Sequence, residues 1–509
     1  MFQQTRLFFL LTVLAMSYVM PAPTPAVPLM SQREVLAVTQ RVSLYARGQY
    51  APQVEAFWED GVYHIGQSAA YTLTDNVLML TYTEKFGNFN QWQLDRAGSG
   101  NNHNRLVASQ SWMDTWAVVP TVASLTDTRA EILQQTTDSL ATVTTGAYHS
   151  VDSQFMALPA FARLGAIDNT TVYHERMYEL FAHTKTTLGL YDTTDHLYYR
   201  DVTYIYPGTQ SPNGLKVFWS RGNGWAFAAL ARVLTFLPVA DPHRGEYLTT
   251  FQDMAAALKN VQRADGFWNV NLADPNHYPG PETSGTALFV YGMAWGINQG
   301  LLDPGVYRPV VETGWHAIVS TALHPNGKVG YVQPPGSNPA SGQPVTVDST
   351  SDFGVGVVLL AASEVWSMAT NGYVAEVEAL STTVSSGDSQ GDAGETSIWG
   401  AIYNQATLNA VGDKVEYLFT VPAPGTYAVK VRFRTAPSYG QWQFWTAGAN
   451  RGAVQEGYSS SPSYTEIDLG TVTYSAFAQE VFRFTVTGKH LASTSYGVAI
   501  DYVMLVKQL

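Results

Sequence analysis

The 509 residues include no cysteine, which removes disulfides, thiolate metal ligands and thiol nucleophiles together. Charge is scarce as well, with Asp, Glu, Lys and Arg at 14 % against 46 % hydrophobic residues. A chain of that balance is not a disordered polyelectrolyte. Cations are the rarer sign, 28 Lys and Arg against 41 Asp and Glu, for a net charge of −13. Such a field repels polyanions at long range, so nucleic acid is not an expected partner, and an anionic ligand would need a local cationic pocket. Past the N-terminus no apolar run is long enough to span a membrane. There is no GxSxG elbow. His103, His149, His183, His196 and His277 lack HExxH spacing, so neither a metal nor a cofactor is expected.

Aromatic residues are plentiful, with 13 Trp, 29 Tyr and 22 Phe. Such rings stack on sugars or fill helical cores, and composition does not choose between these. The chain opens with Arg6, an apolar run from about Leu7 to Met20, then small residues and prolines. That order reads as a secretory signal over residues 1–26, cleaved near Ala22 to Ala26, and predicts a secreted, extracellular protein free of the membrane afterwards.

Residues 30–371 carry a helical pattern. Val151, Phe155, Leu158, Ala162 and Gly165 recur at three- and four-residue steps. Residues 215–237, closed by Pro238, and residues 284–302 repeat the theme. Turns such as Asp168-Asn169 and Asn326-Gly327 separate the runs. Helical hairpins joined this way predict a toroid whose loops gather into a pocket at one end. From about residue 372 the period drops to two, with Tyr427, Val429, Val431 and Phe433 alternating with polar or small neighbours. The polar, Gly- and Ser-rich stretch 381–397 reads as a loop or linker, and residues 372–509 as a β-sandwich.

Three segments carry more chemistry than helix packing requires. Asp152 opens an apolar helix, where a carboxylate serves as a cap or as a reactive group. Trp219-Ser220-Arg221-Gly222-Asn223-Gly224-Trp225 offers stacking faces, a guanidinium fork and glycines that admit a ligand to the backbone. Asp265-Gly266-Phe267-Trp268-Asn269, with the loop to Glu282-Thr283-Ser284-Gly285, lines a pocket mouth or forms a packed turn.

Taken in order, VDSQFMALPAFARLGA, GLYDTTDHLYYRD, FWSRGNGWAFAALARVL, RADGFWNVNLADP, ETSGTALFVYGMAWGINQGLLD and DFGVGVVLLAASEV resemble glycoside hydrolase family 105 over most of residues 50–370. These are the unsaturated glucuronyl and rhamnogalacturonyl hydrolases. The resemblance implies a multidomain chain with an all-α (α/α)6 barrel ahead of the all-β sandwich. It implies removal of the terminal 4,5-unsaturated uronic acid that polysaccharide lyases leave on oligosaccharides, by hydration of the ring double bond. Asp152 is then the acid/base. Arg221, Trp225, Trp219 and Glu282 hold the anionic oligosaccharide.

One position departs from the family. An Asp, often an Asp pair, is usual where this chain has His103-Asn104-Arg105, so Asn104 becomes a substrate-binding residue that cannot transfer a proton. Asp95 and Asp114 are the nearest replacements, and Ser150 stands where an aromatic is usual. Three outcomes stay open: an active hydrolase, a non-catalytic sugar-binding protein on the same barrel, and a polysaccharide lyase on a similar toroid. The C-terminal part resembles carbohydrate-binding modules of families 6 and 35 through VAEVEAL, Asp413-Lys414-Val415-Glu416-Tyr417, Pro424-Gly425-Thr426-Tyr427 and Ile500-Asp501-Tyr502-Val503. Trp399, Trp442 and Trp445 are its stacking candidates.

Overall fold

The computed structural model describes residues 32–369 and 372–507, apart from 75, 95, 97, 99–101, 119–125, 378–379, 395–401, 421–424 and 476–478. The expected signal at residues 1–26, Asp95 and Trp399 lie outside the described residues. Twelve helices are described: α1 (Gln32–Gln49), α2 (Trp58–Thr74), α3 (Val77–Phe89), α4 (Asn102–Val118), α5 (Thr126–Ala141), α6 (Ser153–Asp168), α7 (Val172–Ala182), α8 (Ser220–Phe236), α9 (Arg244–Asn260), α10 (Thr283–Asn298), α11 (Pro304–Ala317) and α12 (Asp352–Ala369).

The even-numbered helices pack in chain order, α2 on α4 and so on to α10 on α12, and α12 packs back on α2. Each odd-numbered helix packs against an even neighbour. Burial follows that division. Helices α8, α10 and α12 are buried nearly all round, whereas α7, α9 and α11 bury a single stripe. A helix apolar on every side needs neighbours on every side, which the inner position supplies.

Glycine decides how closely the inner helices approach. A Cβ on Gly66 would lie 2.2 Å from the carbonyl oxygen of Gly356, and one on Gly356 would lie 2.4 Å from that of Val62. Helices α2 and α12 therefore touch backbone to backbone. Gly224 of α8 instead makes room for a side chain of α10, since a Cβ there would lie 2.8 Å from Leu288 Cδ1.

Two helix limits differ from the periodic reading. Residues 215–219 are extended, because Trp219 bridges Asn271 and Phe218 donates its N–H to Asn271 Oδ1 at 3.1 Å. Helix α8 starts only at Ser220. Helix α10 stops at Asn298, and Gly300 turns the chain with φ 69°. A short hairpin of β1 (Tyr191–Asp192) and β2 (Leu197–Tyr198) sits between α7 and α8.

Past residue 372 the chain is all β. It runs β3 (Gly372–Glu376), β4 (Ser381–Val384), β5 (Ser389–Gly394), β6 (Ile402–Thr407), β7 (Lys414–Thr420), β8 (Gly425–Thr435), β9 (Gln441–Thr446), β10 (Ala449–Glu456), β11 (Ser463–Tyr474), β12 (Gln479–Gly488) and β13 (Val498–Lys507). One antiparallel sheet has the order β10-β9-β12-β7-β4, the other β11-β8-β13-β6-β5 with β3 also on β13. The apolar residues of β8 and β12 bury alternately, as their period of two requires, and form one core with Trp442 and Phe444 of β9. The expected linker at 381–397 is instead mostly strand. Strands β4 and β5 are outermost in their sheets, where main-chain ladders hold a segment whose apolar packing is slight, from Val384 and Ala393. Trp442 is 1 % exposed and meets Phe433 and Phe484 edge-on, so it fills the core and cannot stack on sugar. Trp445 is half-buried on the opposite face, with the Arg483 guanidinium 4.3 Å above its ring.

The α2–α12 contact yields a direct test. Gly356→Ala forces a methyl group into the α2 backbone and should destabilise the protein by about 1–3 kcal/mol, the usual cost of overpacking. Thermal denaturation followed by helical circular dichroism reads this as a lower Tm, and an unchanged Tm would contradict the backbone contact.

Candidate active site

A cavity of about 340 Å³ opens where α2, α6 and α8 begin. Trp58 and Glu59 reach it from α2, Asp152 and Met156 from the start of α6, and Trp219, Arg221 and Trp225 from the start of α8. Arg200 and the loop residues Pro335, Gly336 and Ser337 complete it. The helix N-termini place their positive dipole ends toward this mouth, a favourable setting for carboxylates and anionic ligands.

Asp152 occupies the N-cap position of α6, yet its side chain makes no capping bond. It is 7 % exposed, and its Oδ1 has no hydrogen-bond partner. A carboxylate left unsatisfied inside a protein costs free energy, so capping does not account for this residue. Its neighbour is Arg200, whose Nε faces Asp152 Oδ2 at 3.4 Å without hydrogen-bond alignment, while Nη1 donates to Asp201 Oδ2 at 2.7 Å. Burial works against the Arg200 charge, but Asp152 and Asp201 outweigh it and hold its pKa above the ordinary value. The chain delivers Arg200 here through two main-chain contacts, a bridge from Ser150 to Asp201 and a bond from Val151 N to Arg200 O.

Arg221 is 1 % exposed. Its Nη1 and Nη2 donate to the carbonyls of Gln333 and Pro334 at 2.5 and 3.0 Å, and its guanidinium lies 4.7 Å from the Trp219 ring and 5.0 Å from that of Phe353. Desolvation lowers its pKa, opposed by the charges of Glu282, Asp152 and Glu59. Gln333 is the hub of this wall. Its Oε1 accepts from Trp219 Nε1 at 2.9 Å, its Nε2 donates to Pro339 and Ser341 carbonyls, and its N–H donates to Glu282 Oε1. The loop carrying Pro335 to Ser337 is thereby bolted to the start of α8.

Asp152, Arg221, Trp219 and Trp225 thus meet in one cavity; Glu282 and Asn104 do not line it. Glu282 is fully buried as the N-cap of α10, accepting from Ser284 N, Ser284 Oγ, Gly285 N and Gln333 N, which leaves it a scaffold carboxylate and charge partner of Arg221, not a substrate contact. Asn104 accepts the Trp58 N–H at 2.9 Å, finishing the start of α2 from beside the cavity. Arg105's side chain lies outside the described residues. Asp114 cannot replace a missing acid. It lies ten residues further along α4, about 15 Å at 1.5 Å per residue. There it lines a separate cavity of about 350 Å³, with both oxygens held at 2.6 Å by Arg163 and Arg232.

The glycines of the Arg221 segment serve packing instead of a ligand. A Cβ on Gly222 would meet Val151 Cγ1 at 2.9 Å, and Asn223 is spent on the Tyr198 backbone. The Asp265–Asn269 segment is a packed turn, with Arg263 bound to both Asp265 and Asn269 and Trp268 donating to Leu258 O. The sequence reading passed over Arg200, Trp58, Glu59 and Ser337. Arg200 stands within the GLYDTTDHLYYRD motif, but only the fold brings its side chain to Asp152.

Behind Glu59, Asp60 of α2 donates a hydrogen bond to Asp352 of α12. Burial first, then the charges of Asp352 and Glu59, push Asp60 up to about 8, and burial raises Asp352 as well. The folded protein therefore holds a proton that the unfolded chain releases near 3.8. That contribution is full below the ordinary carboxylate range and is lost as pH rises toward about 8. Asp60→Asn should flatten the fall in Tm between about pH 5 and pH 8 that this linkage produces. Parallel Tm profiles for the two proteins would contradict the shared proton.

Six helices packed in a circuit of contacts thus carry, at the starts of three of them, a cavity lined by tryptophans, arginines and a carboxylate with a bare oxygen. The chain belongs to glycosyl hydrolase family 88, whose profile matches residues 31–369, and it is a glycoside hydrolase. The motifs resembled family 105; the profile that matches is family 88, and the unsaturated-uronyl hydrolase type is common to both readings. An unsaturated 3S-rhamnoglycuronyl hydrolase of Formosa agariphila is 31 % identical over 329 residues, covering 60 % of this chain and 84 % of the relative. A family 88 structure from Bacteroides vulgatus is 37 % identical, covers 67 % of this chain and all of its own, and superposes with a TM-score of 0.60. A structure named a polysaccharide lyase is 35 % identical, covers 65 % of this chain and 96 % of its own, and gives a TM-score of 0.59.

Gln333→Leu preserves size but strands Trp219 Nε1 and two loop carbonyls. Each buried group left unpaired costs about 1–3 kcal/mol, so Tm should fall, and with substrate in hand KM should rise more than kcat falls. A Tm within error of the wild type would remove Gln333 as the organiser of the wall.

Proposed function

We propose that this protein removes a terminal 4,5-unsaturated uronic acid from oligosaccharides produced by polysaccharide lyases, on an (α/α)6 barrel, with Asp152 as the single acid/base. The observation that carries the proposal is the Asp152 Oδ1, buried in an aromatic- and arginine-lined cavity with no protein partner. An atom in that condition is set for a proton transfer to a ligand, not for a structural bond.

The chemistry fits one carboxyl group. Ordinary glycosidases place two, one for the leaving group and one for the water or anomeric carbon. In the hydration route Asp152 gives its proton to C4 of the C4=C5 bond. Water then adds at C5, and the resulting carboxylate takes the proton that water loses, so Asp152 is regenerated. The C5 hemiketal opens to a ketone, and the hemiacetal exposed at C1 releases the aglycone. One water is consumed and no cofactor enters. Trp219 and Trp225 offer apolar ring faces to the sugar.

Asn104 at a usual acid position is compatible with this route, because its Oδ1 completes a helix start while the proton chemistry rests on Asp152. An unsaturated glycuronyl unit on 3S-rhamnose, named for the Formosa relative, is the first substrate to try. The residues 1–26 signal, with secretion, belongs to the same proposal and rests on the order of Arg6, the apolar run and the small residues after it. A sugar-binding role for the β domain would have to use Trp399 or surfaces other than the core Trp442.

Asp152→Asn should lower release of the reducing aglycone by at least about 1000-fold while leaving Tm near the wild-type value, since general acid and base roles together carry that order of rate. Release at a tenth of the wild-type rate or more would remove Asp152 from the chemistry.

A further inference from the structure

Among the described residues, Arg221 and Arg200 are the two guanidinium groups that reach the cavity, and they are not equivalent. Arg221 has spent Nη1 and Nη2 on main-chain carbonyls and is wedged between Trp219 and Phe353. It holds the wall. Arg200 has one firm bond, 2.7 Å to Asp201 Oδ2, and Asp201 is itself fixed by the N–H and hydroxyl of Thr203. On its other side Arg200 faces Asp152 at 3.4 Å with an Nε–H that no acceptor takes. The Arg200–Asp152 contact is therefore the loose one of the two.

We infer that Arg200 works by charge exchange: the carboxylate of the incoming uronide takes the Arg200 Nε–H side now facing Asp152, and Asp152 is released toward the sugar. The inference rests on the uronide reading above. Its geometry follows from the substrate. The carboxylate is bonded to C5, next to the C4 that must be protonated, so a cation that grips it belongs beside the acid and not across the cavity. A guanidinium matches a carboxylate with paired N–H groups, and a charged pair of that kind is directional as well as strong. Substrate charge and acid placement are then one event, with the firm Asp201 bond keeping Arg200 in place throughout. This moves the grip on the substrate's charge from Arg221, expected among the residues that hold the anionic oligosaccharide, to Arg200.

The test is binding, so it does not depend on turnover. The probes are a saturated glucuronyl disaccharide, which has no double bond to hydrate, and its neutral methyl ester, each titrated calorimetrically. Wild type should prefer the acid. Arg200→Gln should lose about 30-fold in acid affinity and under about threefold in ester affinity, because a hydrogen bond to a charged group is worth a factor of that order. Arg200→Lys, which keeps the charge but not the fork, should recover part of the preference. Asp152→Asn should bind the acid several-fold more tightly than wild type and the ester equally, since the competing carboxylate is gone. Acid preference retained in Arg200→Gln, or acid binding unchanged or weakened in Asp152→Asn, overturns the inference. Failure of the hydrolase reading shows up separately, as absence of product with the unsaturated substrate.

Discussion

Burying the charge of Arg221 is the constraint around which the active end of this molecule is arranged. A guanidinium removed from water must be met by acceptors and by opposite charge. The carbonyls of Gln333 and Pro334 and the carboxylate of Glu282 meet it. Satisfying them fixes the loop that walls the cavity, the start of α8 and the start of α10 relative to one another. Trp219 is tied to the same loop through Gln333. One buried cation is thus answered from three elements at once.

Much of this was legible in the residues. The three- and four-residue apolar steps gave α6, and the period of two in β8 and β12 gave the sandwich, because burial imposes both patterns directly. Asp152, Trp219, Arg221 and Trp225 stood out as chemistry in excess of packing, and they share a cavity. The failures have a common cause. Glu282 was taken for a ligand contact because a carboxylate in a motif is visible, whereas its capping bonds to Ser284 and Gly285 are not. Gly222 and Gly224 were read as room for a ligand, when close helix packing was the demand. Strands β4 and β5 were read as linker because an outermost strand is held by main-chain bonds that leave no trace in side-chain pattern. Arg200 was missed although its motif was in view, since the contact with Asp152 spans a hairpin and a bridge.

The two ends of the helical ring make an instructive contrast. At the far end Asp114 is held by two arginines at 2.6 Å, with no oxygen free. At the near end Asp152 has a single loose cation and one bare oxygen. The same residue types thus give a fully paired carboxylate in one place and a carboxyl with a bare oxygen in the other. The difference is how many donors the backbone brings within reach. That difference, more than the presence of an acid, is what supports the proposal that reaction takes place in the cavity at the helix N-termini.

The measurement that bears most directly on this account is the ultraviolet absorbance of an unsaturated uronyl oligosaccharide incubated with the purified wild-type protein. Hydration of C4=C5 destroys the conjugation between the double bond and the carboxylate, so the absorbance must fall as aglycone appears. A steady absorbance across a panel of unsaturated uronides, or a rise of the kind produced when a lyase creates new double bonds, would contradict it.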